Sequence, residues 1–225
     1  KILLSRSHNE YLVKKLNLIT NYTTKGLIKT TYLDREDSPV FLEIDKNHLQ
    51  QVNYPITIIP RKGNQYEVTL PEEGESPNLY NYITESVETV APYSRPANKI
   101  LKLNEWYETP NLKFKLIPNP TPSNLGLNNI IITLVPVNQA VNSITSSLFV
   151  EFDKELSSIM VITKTGYNLN NTVNLLNSSV DELIKKRLTD QNTVDQNTVK
   201  YLNENLLLIR KKLDSSATVL NRLKI

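Results

Sequence analysis

Residues 169–223 read LNNTVNLLNSSVDELIKKRLTDQNTVDQNTVKYLNENLLLIRKKLDSSATVLNRL, and the spacing of their apolar side chains decides the fold. Leu169, Val173, Leu176, Val180 and Leu183 recur at alternating steps of four and three. After a polar interval the seam resumes at Leu202, Leu206, Ile209, Leu213, Leu220 and Leu223. This spacing predicts one narrow apolar stripe on a long helix, the pattern of helix–helix packing. At 1.5 Å per residue the helix would extend about 80 Å. No compact domain of this chain length covers such a helix along its whole extent. The stripe is therefore the first candidate functional surface, one for packing and not for reaction.

The polar interval holds a duplication: Asp190-Gln191-Asn192-Thr193-Val194 repeats as Asp195-Gln196-Asn197-Thr198-Val199. A period of five does not match 3.6, so the repeat does not itself encode a helical face. It reads as a slip in a solvated stretch. The alternative is a break between two helices or a polar contact zone between subunits.

Upstream of the helix, Thr165-Gly166-Tyr167-Asn168 turns the chain. Leu148–Phe152 and Ile159–Ile162 read as strands, the second apolar on both faces and so expected to be internal. These segments and the helix make up a third region, 151–225. A second region, 38–150, reads as β. Val40, Leu42 and Ile44 alternate with Phe41 and Glu43; Ile56, Ile58 and Ile59 follow Pro55; and Tyr66, Val68 and Leu70 alternate with polar neighbours. Period-two runs separated by turns such as Pro60-Arg61-Lys62-Gly63-Asn64 signal antiparallel hairpins. Ile100–Leu103, Leu112–Ile117 and Ile130–Val135 continue the series, and a sandwich or barrel is the expected form.

The first region, 1–37, opens with Ser7-His8-Asn9-Glu10, which fits a capping box. Leu12, Val13 and Leu16 then give a short apolar face. Leu27–Leu33 reads as a strand. The class is α+β: an α/β base, an inserted antiparallel β domain and a long C-terminal helix.

The 225 residues carry 39% hydrophobic and 22% charged side chains, with 26 Lys and Arg against 23 Asp and Glu, a net charge of +3. The signs are interspersed, with no basic stripe, so nucleic acid is not the expected partner. Cysteine is absent and only His8 and His48 are present. Thiol catalysis, disulfides and multi-histidine metal sites are thereby excluded. The phosphate-cradling glycine loops and the G-x-S-x-G elbow are missing. His8 and His48 read as surface residues, one in a first helical turn and one between strands. Glu72-Glu73-Gly74-Glu75 lacks calcium-loop spacing and reads as a solvated turn. Trp106 and Tyr107, with Tyr80, Tyr82 and Tyr93 near them in sequence, are candidate glycan contacts; the ordinary reading packs them on the β region. No catalytic, cofactor-binding or metal-binding residue emerges. No run reaches the ~20 apolar residues of a membrane-spanning helix. With no initiating Met, the chain reads as a piece of a longer protein.

Ile2-Leu3-Leu4-Ser5-Arg6-Ser7, followed by Leu12-Val13-Lys14-Lys15-Leu16-Asn17-Leu18, resembles a segment of the Wzz-type polysaccharide co-polymerases. The likeness is closest to the Wzc-like branch, in which a cytoplasmic tyrosine autokinase follows the periplasmic part. Ser38-Pro39-Val40 is similar to the phrase that opens the family's inserted β domain. Leu148–Phe152 and Ser157-Ser158-Ile159-Met160-Val161-Ile162 resemble its returning strands. Asn174-Leu175-Leu176-Asn177, Tyr201-Leu202 and Arg210-Lys211-Lys212-Leu213 resemble its long helix. The resemblance covers nearly the whole chain as diffuse phrases in a common order; the Asp190–Val199 duplication departs from it.

The resemblance implies a base on the periplasmic face of the bacterial inner membrane, anchored by flanking helices outside this sequence. It implies self-association into a ring, with the polymerase or export machinery and the nascent glycan as partners. The implied role is to set chain length, or to aid export, of capsular polysaccharide or exopolysaccharide. It implies no cofactor and no catalyst in this region, any kinase activity lying in a separate domain. Two other readings compete. A periplasmic adaptor of the membrane-fusion type would place its helical arm between two halves of a β domain, whereas here β lies between helices. A glycan-binding or glycan-active domain would use Trp106 and a pair of acids.

Overall fold

Residues 2–25, 30–71, 78–89, 98–121, 129–152 and 159–223 are described by the computed structural model. The Glu72–Glu75 turn, Gly26 and Tyr93 lie outside these residues, as do the side chains of Leu220 and Leu223. The elements run α1 (Arg6–Lys15), β1 (Thr20–Lys25), β2 (Thr30–Leu33), β3 (Val40–Ile44), β4 (Gln50–Gln51), β5 (Pro55–Arg61), β6 (Gln65–Thr69) and β7 (Asn78–Tyr80). There follow β8 (Val87–Thr89), β9 (Lys99–Lys102), β10 (Trp106–Thr109), β11 (Leu112–Pro118), β12 (Ile130–Leu134), α2 (Val137–Ser147), β13 (Leu148–Phe152), β14 (Met160–Lys164) and α3 (Leu169–Leu223). The α+β class is as the sequence indicates, and every strand pair among the described residues is antiparallel.

The chain divides into two units, Lys1–Ser179 and Val180–Ile225. In the first, a six-stranded sheet has the order β2-β1-β12-β5-β6-β9, and a three-stranded sheet the order β10-β11-β3. Period-two burial follows from the residues: Ile56 and Ile58 of β5, Val68 of β6 and Ile130, Ile132 and Leu134 of β12 all turn inward. They join Val40, Leu42, Phe114 and Leu116 from the smaller sheet in one apolar cluster. Tyr22 of β1 ties the sheets together, its hydroxyl accepting from the Leu42 backbone N–H at 3.0 Å. The β5–β6 hairpin closes through Gly63 (φ 77°) and Asn64 (φ 56°), left-handed positions that glycine and asparagine tolerate best.

Several expectations are corrected. The boundary between residues 37 and 38 separates nothing, because β1 and β2 share a sheet with β12 and β5. The 38–150 region is not all β: Val137, Ala140, Val141 and Ile144 are buried at helical spacing on α2, which packs on α1. The strand β1, with three threonines among its six residues, offers no apolar alternation, and β10 is only four residues long. Helix α1 is capped by Ser5 and not Ser7; the Ser5 Oγ accepts from the His8 backbone N–H. Glu10 reaches Arg6 one turn earlier and makes no capping box. Leu148–Phe152 and Met160–Lys164 do pair, but as a two-stranded sheet with Phe149, Phe152, Met160 and Val161 exposed, so the second strand is not internal.

Candidate functional site

Helix α3 runs unbroken from Leu169 to Leu223, through both copies of the duplicated pentapeptide, whose residues are all exposed. Its threonine hydroxyls at 189, 193 and 198 bond back to carbonyls one turn earlier, so the polar interval stays helical by local satisfaction. Within the first unit, the residues that α3 buries are Leu175 and Ser179, which are 4% and 2% exposed. Leu176 is half-buried beside them, while Leu169 and Val173 face solvent; Val180, the first residue of the second unit, is half-buried. The buried face is thus rotated by about one residue from the expected stripe. The reason is a polar core pair: the Ser179 Oγ lies 2.8 Å from the His8 Nε2, and His8 is itself 4% exposed. His8, expected at the surface, joins α1 to α3 instead. A stripe counted in apolar residues passes over a serine.

Within the second unit, Leu183 is half-buried, and Leu202, Leu206, Ile209 and Leu213 are between 54% and 68% exposed. Val199, also exposed, extends the three-four spacing one step toward the N-terminus. Leu207 and Leu208 add apolar surface beside the seam, so residues 206–209 form a nearly all-round apolar cuff.

The candidate glycan contacts separate. Tyr107 is 3% exposed and stacks on Phe114, with ring centroids 5.1 Å apart, so it is a core residue and not a surface contact. Tyr80 and Tyr82 are buried too, packed edge to face. Trp106 is exposed, with the Lys115 and Lys113 ammonium groups 5.0 and 5.9 Å from its ring centre. Those lysines are ion-paired to Glu43, Glu108 and Asp45 along the outer face of the β10-β11-β3 sheet. Glu108 and Asp45 hold the Lys113 ammonium above the ordinary lysine value. Trp106 thus belongs to a satisfied surface ladder. His48 sits in the turn between β3 and β4, with its Nδ1 2.6 Å from the Leu49 carbonyl.

A cavity that no local sequence pattern signals lies in the first unit. It is bounded by the α1–β1 turn, β1, the residues around Leu33–Glu36, α2, the end of β14 and the first turns of α3. Lys164, the last residue of β14, donates to the Ser147 Oγ at 2.5 Å. Burial pushes its ammonium below the ordinary lysine value. Tyr32 and Tyr167 stack on the same cavity with centroids 4.8 Å apart and planes 9° from parallel. Gly166 lets the following loop close: a Cβ there would lie 2.4 Å from the Thr172 Oγ1. These residues are distant in sequence, and only the antiparallel closure of the first unit brings them together.

No family model matches the chain, and no curated protein matches it. No group of three or more His, Asp or Glu suited to a metal ion occurs among the described residues. No described helix is long and apolar enough to cross a membrane.

Proposed function

We propose that this chain is a periplasmic assembly module of a polysaccharide co-polymerase of the bacterial inner membrane, acting by geometry and not by catalysis. Subunits associate through α3, and the assembled ring sets the length of a capsular polysaccharide or exopolysaccharide or aids its export. The observation that carries this reading is the uncovered heptad-spaced seam Val199, Leu202, Leu206, Ile209 and Leu213 on a 55-residue helix. Sustained three-four spacing of branched apolar residues favours packing against a second helix. Its occupant is the same seam of a second copy. The apolar cuff at 206–209 supports contact on more than one side, as a closed ring of subunits needs. The order-preserving phrases at Ile2–Leu18, Ser38–Val40 and Asn174–Leu213 supply the polysaccharide context.

The test is cellular. A strain depending on the full-length protein is expected to make polymer of a defined length range. Leu206→Asp with Leu213→Asp should scatter that range or abolish surface polymer while the protein still accumulates. Wild-type polymer lengths in that strain would overturn the reading.

A further inference from the structure

We propose that the first-unit cavity is a binding site for an acidic saccharide, with Lys164 and Arg35 receiving its carboxylate and the stacked Tyr32–Tyr167 pair bearing on its ring. The cavity has a volume of about 610 Å³, within the ~300–1,000 Å³ typical of small-ligand sites. That volume suits a few sugar rings.

Two cations line it, and neither is neutralised by a described carboxylate. Lys164 spends its hydrogen bonds on the Ser147 hydroxyl and, at 3.5 Å, on the Thr165 carbonyl. An ammonium has three donors, so at least one remains for an incoming acceptor. Arg35 lies with its guanidinium carbon 4.4 Å from the centre of the Phe41 ring, and its buried Nε has no acceptor. A buried donor without a partner is costly, and an anion bound there relieves that cost. The acid within the lining is Glu36, which is exposed; Asp34 is not part of the lining, and its Oδ2 accepts from the Asn170 amide at 2.8 Å.

The rest of the wall is what a sugar requires. Asn, Gln, Ser and Thr side chains offer both donors and acceptors for hydroxyl groups. Tyr167 is 87% exposed although it is stacked on Tyr32. A large aromatic surface held open by a parallel neighbour, at the edge of a polar cavity, is a stacking platform for the apolar face of a pyranose. A free phosphate would use the two cations and leave the aromatic pair and the amides idle.

The anion-binding part stands on the cavity alone; the saccharide part rests also on the proposed role in polymer assembly. Calorimetric titration of the 225-residue chain tests both, with trigalacturonate, its neutral methyl ester and inorganic phosphate as probes. Trigalacturonate is expected to bind, and the ester to bind roughly tenfold or more weakly, as loss of a charge-assisted contact implies. Lys164→Gln and Arg35→Gln should each weaken trigalacturonate by a similar factor, while Lys164→Arg retains most of the affinity. Tyr167→Ala, at an exposed position that leaves folding intact, should weaken the saccharide and spare phosphate. Equal binding of the ester, no binding of trigalacturonate up to about 10 mM, or variants that bind as wild type would each overturn the site. Phosphate binding as tightly as trigalacturonate would overturn its saccharide assignment. Intact binding by a protein that fails to assemble would count against the assembly role alone. Assembly without binding would count against this site alone.

Discussion

Tyr82 carries one of the clearest residue-scale consequences. Its hydroxyl donates to the Val135 carbonyl at 2.9 Å from a buried position. Burial, and then the neighbouring Tyr80, push its phenol well above the ordinary value of 10.0. The unfolded chain ionises this group near pH 10, while the folded chain holds it neutral. Its contribution is therefore complete below about pH 10 and is lost as pH rises through the folded-state value. Tyr82→Phe is expected to cost about 1–2 kcal/mol at neutral pH, because the carbonyl loses a buried partner. Urea unfolding at about pH 9 and about pH 11 should show a smaller alkaline loss in Tyr82→Phe than in wild type. Equal losses would contradict the assignment. The His8–Ser179 contact makes a second residue-scale prediction. Either alanine substitution leaves a buried polar group short of a partner, at about 1–3 kcal/mol. A double-mutant cycle of His8→Ala and Ser179→Ala should give a coupling of about 0.5–3 kcal/mol. Additive losses would mean that the two side chains do not act on each other.

At the scale of elements, the Gly166 loop shows how a single missing Cβ sets an approach. Gly166 does not need left-handed backbone, so alanine is barred by its neighbour and not by φ. The Thr172 hydroxyl, which donates to the Asn168 carbonyl at 2.7 Å, would have to give way. Gly166→Ala should cost about 1–3 kcal/mol by thermal unfolding, and Thr172→Ala in the same chain should recover most of it. An unchanged melting temperature in Gly166→Ala would contradict this close approach. Elements with a pure period were legible in the sequence. Val40–Ile44, Pro55–Arg61 and Leu112–Pro118 alternate cleanly because one face of each meets the core. Helix α3 was legible because its stripe persists over many turns. Helix α2 was not separated from the β region, since Pro136 and the preceding strand made its four apolar residues look like more β. The exact face that α3 buries was hidden because Ser179 and His8 satisfy each other there, and hydropathy assigns such pairs to the surface. The cavity was illegible for a different reason: Arg35, Ser147, Lys164 and Tyr167 meet only through long-range pairing, and no local spacing encodes it.

For the whole molecule, the two units differ in what holds them. The first has a continuous core drawn from both major sheets and three helices, Leu175 of α3 included. Phe114→Ala in that core should cost about 3–5 kcal/mol, read as a fall in the urea midpoint with the unfolding slope unchanged. A loss below about 1 kcal/mol would mean that the two sheets do not share one core. The second unit keeps its larger apolar side chains in solvent along Val199–Leu213. Burying such a side chain is worth about 1.5–3 kcal/mol, so several uncovered leucines in register are a strong incentive to associate. The most direct test is the mass in solution of the 225-residue chain over a wide range of concentrations. A defined oligomer is expected, falling to smaller species in Leu206→Asp/Leu213→Asp while the unfolding midpoint of the first unit is retained. A monomer at every concentration, or an oligomer indifferent to those two substitutions, would contradict assembly through the long helix.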